Sequence, residues 1–239
     1  MKHNLTFIIP AAGKSSRFQS KKNKIFYLYK KKELILHVVE KALKFANQII
    51  IVINKKNYGH LKKILSPYKI KANFTIVFQN QPKGMGHAIY LGLKKSKTPY
   101  SSVIWSDQIY LSIKTIKKTI KFFIKKNSLL TFPIFRKKLP YACILKDKNK
   151  NFKDIVQTRE TRKDIKVGYS DCGFFIFKTQ SVYKKLKILI KKKLIITKKT
   201  KEIDFLRSFK YLNMIGKIHL VKALYKKDTF GVNTLNDLI

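Results

Sequence analysis

A chain of 239 residues and 28.0 kDa with 45% apolar and 13% aromatic residues can bury one sizeable core, which excludes a disordered chain and a disulfide-stapled miniprotein. Its charge is extreme, since 54 Lys and Arg against 12 Asp and Glu give a formal +42. Only five of those cations are Arg (17, 136, 159, 162 and 207), leaving 49 Lys spread along the whole length, whereas readers of bases and phosphates lean on the bidentate guanidinium.

Lys, Ile, Asn, Phe and Tyr are all abundant and all have A/T-rich codons, so the charge reads as solvated lysine from an A/T-biased genome, and no nucleic-acid partner is expected. Cys143 and Cys172 form neither a CxxC pair nor a metal cluster and read as two thiols of a reducing compartment. The apolar run after Met1-Lys2-His3-Asn4 is too short for a signal segment, and no stretch of 18 apolar residues occurs. A soluble, cytoplasmic protein without a membrane partner is expected.

In chain order, Leu5 to Pro10 is an apolar run stopped by Pro-Ala-Ala-Gly, which predicts a buried first strand feeding a loop. Ile35, Val38, Val39, Ala42, Leu43 and Ala46 then make one apolar helical stripe. Strands are predicted at 49–53, 74–79 and 102–105, with helices at 58–65, 87–95 and 112–125. Alternation of strand and helix over this half implies an α/β fold with a doubly wound, mostly parallel sheet. Further strands are predicted at 129–135, 141–145, 152–157 and 168–177, helices at 182–192 and 204–214, and a last strand at 218–223. Lys191 to Lys201 reads as a mobile loop or a frayed helix end. One domain is expected, with 1–128 and 216–239 forming one part and 129–215 an inserted second part.

Pro10-Ala11-Ala12-Gly13-Lys14-Ser15-Ser16-Arg17 is a small-residue turn directly after the first strand, where backbone N–H groups can converge on phosphate and Lys14, Arg17 and Lys24 add positive charge. It lacks the spacing of a P-loop. Gln79 closes the third strand ahead of a second turn, Gln81 to His87, whose Gly84 permits close backbone approach, and the Gln79 amide could read a pyrimidine edge. Asp107 follows an apolar strand, where a hard cation needs an anionic oxygen, the alternative being an exposed Asp or helix cap. His87, at a turn-to-helix position, reads as a packing or capping residue.

Taken in order, Pro10-Ala11-Ala12-Gly13 to Arg17, Lys24, Gln79 with Gly84-Met85-Gly86-His87-Ala88, Ser106-Asp107, Gly173 and Gly231-Val232-Asn233-Thr234 resemble the signature of sugar-1-phosphate nucleotidyltransferases. The resemblance covers nearly the whole chain and is nearest to the pyrophosphorylase domain of bacterial N-acetylglucosamine-1-phosphate uridylyltransferases, without their β-helical acetyltransferase domain. It implies Mg²⁺-dependent transfer of a nucleotidyl group from an NTP, UTP first, to a sugar 1-phosphate with release of pyrophosphate. By the same resemblance the loop carrying Ala11, Ala12, Gly13 and Lys14 wraps the triphosphate. Arg17 and Lys24 neutralise phosphate charge, Asp107 and Asn233 hold Mg²⁺, and Gln79 pairs with the base beside the backbone of Ala12 and Gly84.

The chain departs from that pattern at Ser15, Asn23, Met85 and Ser106 in the nucleotide half. In the acceptor half Ala142 stands for Gly, Gln157 for Glu and Asp171 for Asn. Exchanging a carboxylate for an amide and an amide for a carboxylate changes which groups can be read, so these acceptor-binding positions imply a changed acceptor. A cytidylyltransferase acting on a phosphorylated alcohol such as phosphocholine is the alternative. A non-catalytic basic nucleic-acid binder on the same fold is disfavoured by Asp107 and Asn233.

Overall fold

A computed structural model describes residues 4–13, 15–18, 23–70, 73–158, 165–198 and 200–238. The described strands of the first half of the chain are β1 (Leu5–Pro10), β2 (Leu28–Tyr29), β3 (Lys32–Glu33), β4 (Gln48–Ile53), β5 (Asn73–Phe78) and β6 (Tyr100–Ile104). The second half adds β7 (Leu130–Lys138), β8 (Ala142–Lys146), β9 (Phe152–Gln157), β10 (Val167–Asp171), β11 (Phe174–Lys178) and β12 (Ile218–Lys222). Ten of these form one sheet in the order β5-β4-β1-β6-β11-β7-β10-β8-β9, with β12 beside β7. The pair β2 and β3 is a separate hairpin.

The parallel character read from the sequence holds for β5-β4-β1-β6 and for β12 on β7. The pairs from β6 through β11, β7, β10 and β8 to β9 are antiparallel. The sheet is therefore mixed. Parallel neighbours need crossover helices, and the sequence supplies them mainly in its first half.

Helices α1 (Leu34–Leu43), α2 (Tyr58–Leu65), α3 (Met85–Leu93), α4 (Ile113–Lys126), α5 (Thr179–Lys191) and α6 (Phe209–Asn213) cover both faces. Successive residues of a strand point to opposite faces, so β1 sends Phe7 and Ile9 into one core with α1 and α4, and Ile8 into the other with α3 and α5. That two-sided burial is why its six residues are all buried and read as an unbroken apolar run. The second core is rich in rings, with Phe132, Phe175, Phe205 and Phe209 in mutual edge-on or tilted contact.

Two predicted elements divide. The strand predicted over 168–177 is β10 and β11, broken at Cys172-Gly173, where Gly173 takes φ +65°. The break lets β10 pair with β7 and β11 pair with β6. The helix predicted over 204–214 is a 3₁₀ turn, Leu206–Ser208, followed by the short α6, because the Asp204 carboxylate accepts from the Leu206 and Arg207 N–H groups and sets a tight start. Within 191–201, α5 ends at Lys191, and Ile196 then bridges Ile203 in antiparallel sense, so the chain folds back on itself.

Candidate active site

The carboxyl ends of β1, β5 and β6 open onto a cavity of about 660 Å³ lined by Ala11, Ala12, Gly13, Arg17, Lys24, Gln79, Gly84, Asp107 and Asn233. Residues predicted separately from the sequence therefore meet in one place. Lys14 lies outside the described residues. Ala11 is anchored by its N–H donating to the Val52 carbonyl at 2.7 Å, so the loop leaves the sheet at a fixed angle. Ser15 takes φ +56°, the left-handed conformation that explains why a glycine belongs there in the resembling pattern. Asn23 compensates by tying the loop together: its side-chain oxygen accepts from Ser15 Oγ and Ile25 N–H, and its amide nitrogen donates to the Gly13 carbonyl.

Lys24 Nζ donates to Asp107 Oδ2 at 2.9 Å and to the Val232 carbonyl at 2.7 Å. The Val232 N–H in turn donates to the Asp107 carbonyl at 3.0 Å, which places the turn after β12 on the edge of β6. Arg17 Nη2 donates to Asn233 Oδ1 at 2.9 Å. The Asn233 backbone is held by Asp237 Oδ2, which accepts from the N–H groups of Asn233 and Thr234; despite burial, those two bonds keep the Asp237 carboxyl below its ordinary value. The result is two cations facing two hard oxygen donors. Among the described residues no three His, Cys, Asp or Glu side chains gather as an all-protein metal cage.

Gln79 is buried and its amide nitrogen donates to the Gly84 carbonyl at 3.1 Å and to His87 Nδ1 at 2.9 Å. Burial and then Lys83 lower the His87 pKa, which matches a neutral ring accepting at Nδ1. His87 thus orients the Gln79 side chain, whose nitrogen is engaged by His87 and Gly84. Gly84 takes φ +91°, and a Cβ there would stand 2.6 Å from the Ile203 carbonyl oxygen. The Gly86 N–H donates to that same carbonyl and the Ile203 N–H donates to the Lys83 carbonyl. The fold-back at 196–203 is therefore clamped onto the glycine turn.

A second cavity, about 870 Å³, adjoins the first and shares Arg17, Asp107 and Asn233 with it. Ala142, Gln157 and Asp171 all line it, so the three acceptor positions named from the sequence converge. Ala142 pairs with Gln157 across β8 and β9, and Gln157 Nε2 donates to Asp204 Oδ2 at 2.6 Å. Asp171 Oδ1 accepts from the Gly173 N–H at 2.8 Å, and burial pushes its carboxyl pKa up although that bond and Lys137 oppose it. Sequence reasoning missed Trp105, Gln108, Glu202 and Asp204, which also line this cavity. Trp105 and Gln108 bracket Asp107 and were legible as neighbours of a predicted ligand; Glu202 and Asp204 carried no signal beyond being two of 12 acids.

Comparison with known proteins agrees with this geometry. Residues 7–166 match the profile of the MobA-like NTP transferase domain. The chain is 33% identical over 196 residues to the "Bifunctional protein GlmU" of Buchnera aphidicola, an alignment that takes in 79% of this chain and 40% of that one. It is 32% identical over 116 residues to the protein of the same name in Francisella tularensis, covering 48% of this chain and 25% of that one. The chain thus spans less than half the length of these relatives. Among solved structures, a provisionally named glucose-1-phosphate thymidylyltransferase of Bacillus anthracis superposes with a TM-score of 0.76 at 17% identity, over 91% of this chain and 86% of that one. An apo UDP-glucose pyrophosphorylase gives a TM-score of 0.73 at 17% identity, over 98% and 95%. With a profile matched over two thirds of its length and the same fold in those structures, the chain belongs to the MobA-like NTP transferase domain family and is an enzyme of the nucleotidyltransferase kind.

Proposed function

We propose that the protein transfers a nucleoside monophosphate from a pyrimidine NTP, UTP first, to the phosphate of a small acceptor of the sugar 1-phosphate kind and releases pyrophosphate. The observation that carries this reading is the convergence of Arg17, Lys24, Gln79, Asp107 and Asn233 on one cavity at the carboxyl edge of the parallel strands, the place where open α/β sheets bind nucleotides. An acceptor phosphate oxygen attacks the α-phosphorus in line, a new P–O bond forms, and the bond from the α-phosphorus to the bridging oxygen breaks, with its electron pair leaving on pyrophosphate. No covalent nucleophile is needed, so the chain's task is positioning and charge neutralisation.

In this reading the Ala11-Ala12-Gly13 backbone and Lys14 hold the triphosphate, Arg17 faces the leaving pyrophosphate and Lys24 the α-phosphate. Gln79 Oε1 accepts from the N3–H of uracil or thymine or from the amino group of cytosine, since its nitrogen is already engaged. Asp107 and Asn233 would hold Mg²⁺: one carboxylate and one amide oxygen suit a hard cation that keeps its remaining positions for water and phosphate. When bound, Mg²⁺ neutralises phosphate charge. Residues 1–128 and 216–239 form the nucleotide part and 129–215 the acceptor part, Thr200 and Glu202 reaching both cavities. The reaction is placed in the cytoplasm, where nucleoside triphosphates are supplied. A pyrophosphate-release screen crossing four NTPs with sugar and alcohol phosphates tests the reading; purine triphosphates used as well as pyrimidines, or no release with any pair, would overturn it.

A further inference from the structure

The wall of the larger cavity reverses the charge balance of the chain. Across the sequence, cations outnumber acids 54 to 12, yet this wall carries five acids (Asp107, Asp171, Glu202, Asp204 and Asp237) and two cations, Arg17 and Lys137. Both cations already face other groups. Arg17 donates to Asn233, and Lys137 Nζ lies 5.6 Å from the centre of the Phe230 ring. Asp107 belongs to the nucleotide side through Lys24, Asp237 is used by the 233–234 backbone, and Asp204 is held by Gln157 and the 206–207 N–H groups.

That leaves Glu202, which is exposed, and the part-buried Asp171, for which no ion pair exists among the described residues. Asp171 does not stand alone. Gln108 is 6% exposed, lines the same cavity, and its Oε1 has no hydrogen-bond partner among the described residues. Its amide nitrogen is turned toward Gly231, where a Cβ would stand 3.0 Å from it. Gly173 brings the pieces together: its N–H donates to Asp171 Oδ1, its carbonyl accepts from the Trp105 N–H, and a Cβ on it would stand 2.5 Å from Gln108 Cγ and 2.6 Å from Trp105 Cδ1. A carboxylate, a lone amide oxygen and an indole ring thus share one corner, and each of them attracts positive charge or a donor.

Resting on the nucleotidyl-transfer reading, we infer that the acceptor is a phosphomonoester carrying an ammonium or quaternary ammonium group, received by Asp171, Gln108 and Trp105 while its phosphate faces Lys24 and Arg17. Lys137 acts on Asp171 electrostatically but makes no ion pair with it among the described residues, so a neutral acceptor would shut that carboxyl away from water without a paired charge, which proteins avoid. A second metal ion does not meet the same need, because no three acidic, His or Cys side chains gather there among the described residues. The cation can come from an amino sugar 1-phosphate or from a phosphorylated amino alcohol.

The test uses pairs that differ in charge and little else: glucosamine 1-phosphate against N-acetylglucosamine 1-phosphate, and phosphocholine against 3,3-dimethylbutyl phosphate. In at least one pair kcat/KM for the cationic member should exceed its neutral partner by about tenfold or more, the scale of a hydrogen bond to a charged group, and the pair that discriminates identifies the source. Asp171→Asn should collapse that ratio to within about threefold. Neutral members served as well as cationic ones would overturn the inference and leave nucleotidyl transfer standing. Protection against thermal unfolding, read with wild-type protein and the same four compounds, decides the inference apart from turnover: a larger upward shift with a cationic member supports it, and equal shifts sink it.

Discussion

Lys24 Nζ sits 2.9 Å from Asp107 Oδ2, with the two side chains only 14% and 20% exposed, so one ammonium joins the loop after β1 to the carboxylate after β6. The pairing fixes both side chains at the wall of the smaller cavity before any substrate enters, which is how a preorganised site avoids reorganisation during reaction. Asp107→Ala should lower kcat by about a hundredfold or more. Lys24 then keeps its bond to the Val232 carbonyl, so the unfolding temperature should change little. Near-normal rates at saturating Mg²⁺ would remove Asp107 from the site.

Arg17 acts from the opposite wall through its 2.9 Å bond to Asn233 Oδ1. Being exposed, that bond contributes little to stability, whereas a guanidinium aimed at developing phosphate charge contributes a few kcal/mol to the rate. Arg17→Ala should therefore cut turnover by about ten- to a thousandfold at nearly unchanged melting temperature. A loss of folded protein without a loss of specific activity would make Arg17 structural.

The first half of the chain was legible because its information is local. A buried strand reads as an apolar run and a loop as the small residues after it, so β1 lies where the sequence placed it, and Gly13 and Asp107, both at strand ends, line one cavity. The second half was less legible because its geometry comes from long-range pairing. Nothing local says that the strand predicted over 168–177 divides at Cys172-Gly173 into two strands on either side of β7. Nor does a lysine-rich stretch announce that Ile203 will clamp Gly84 and Gly86, more than 110 residues away. Gln108 escaped notice for a related reason: an unpaired amide oxygen exists only once Gly173 and Gly231 have packed around it.

In the proposed reading, Gln79 presents its oxygen to a base only while neutral His87 accepts from its nitrogen. Burial and Lys83 hold the His87 pKa below its ordinary 6.5, so the neutral ring, and the stability it contributes, is fully present above that value and is lost as pH falls through the lowered one. Protonation makes Nδ1 a donor facing a donor, and the Gln79 amide must turn and give up Gly84. KM for the pyrimidine triphosphate should rise on the acid side, as pH falls through the lowered His87 value. His87→Asn, which keeps an acceptor without a titrating group, should flatten that rise. A wild-type profile that the substitution leaves unchanged would separate His87 from base recognition.

Gly84 is the residue on which both cavities depend through one contact. Its φ of +91° is closed to an ordinary side chain, and an added Cβ would meet the Ile203 carbonyl oxygen at 2.6 Å, Glu202 Cβ at 2.7 Å and the Ile203 nitrogen at 2.9 Å. Two of those atoms are backbone, fixed by the bonds from Gly86 N–H and to the Lys83 carbonyl, so the clash cannot be relieved by a rotamer change. Gly84→Ala should cost about 1–3 kcal/mol, a fall in melting temperature of roughly 2–12 °C for a domain of this size. Because Thr200 and Glu202 line both cavities, displacing the fold-back should also raise KM for the nucleotide and for the acceptor together. Gly13→Ala serves as the control within the same cavity, since an added Cβ there meets nothing within 4 Å, and its melting temperature should stay near that of the wild type. A Gly84→Ala protein that melts with the Gly13→Ala protein and keeps both KM values would mean that the fold-back does not hold the glycine turn in place.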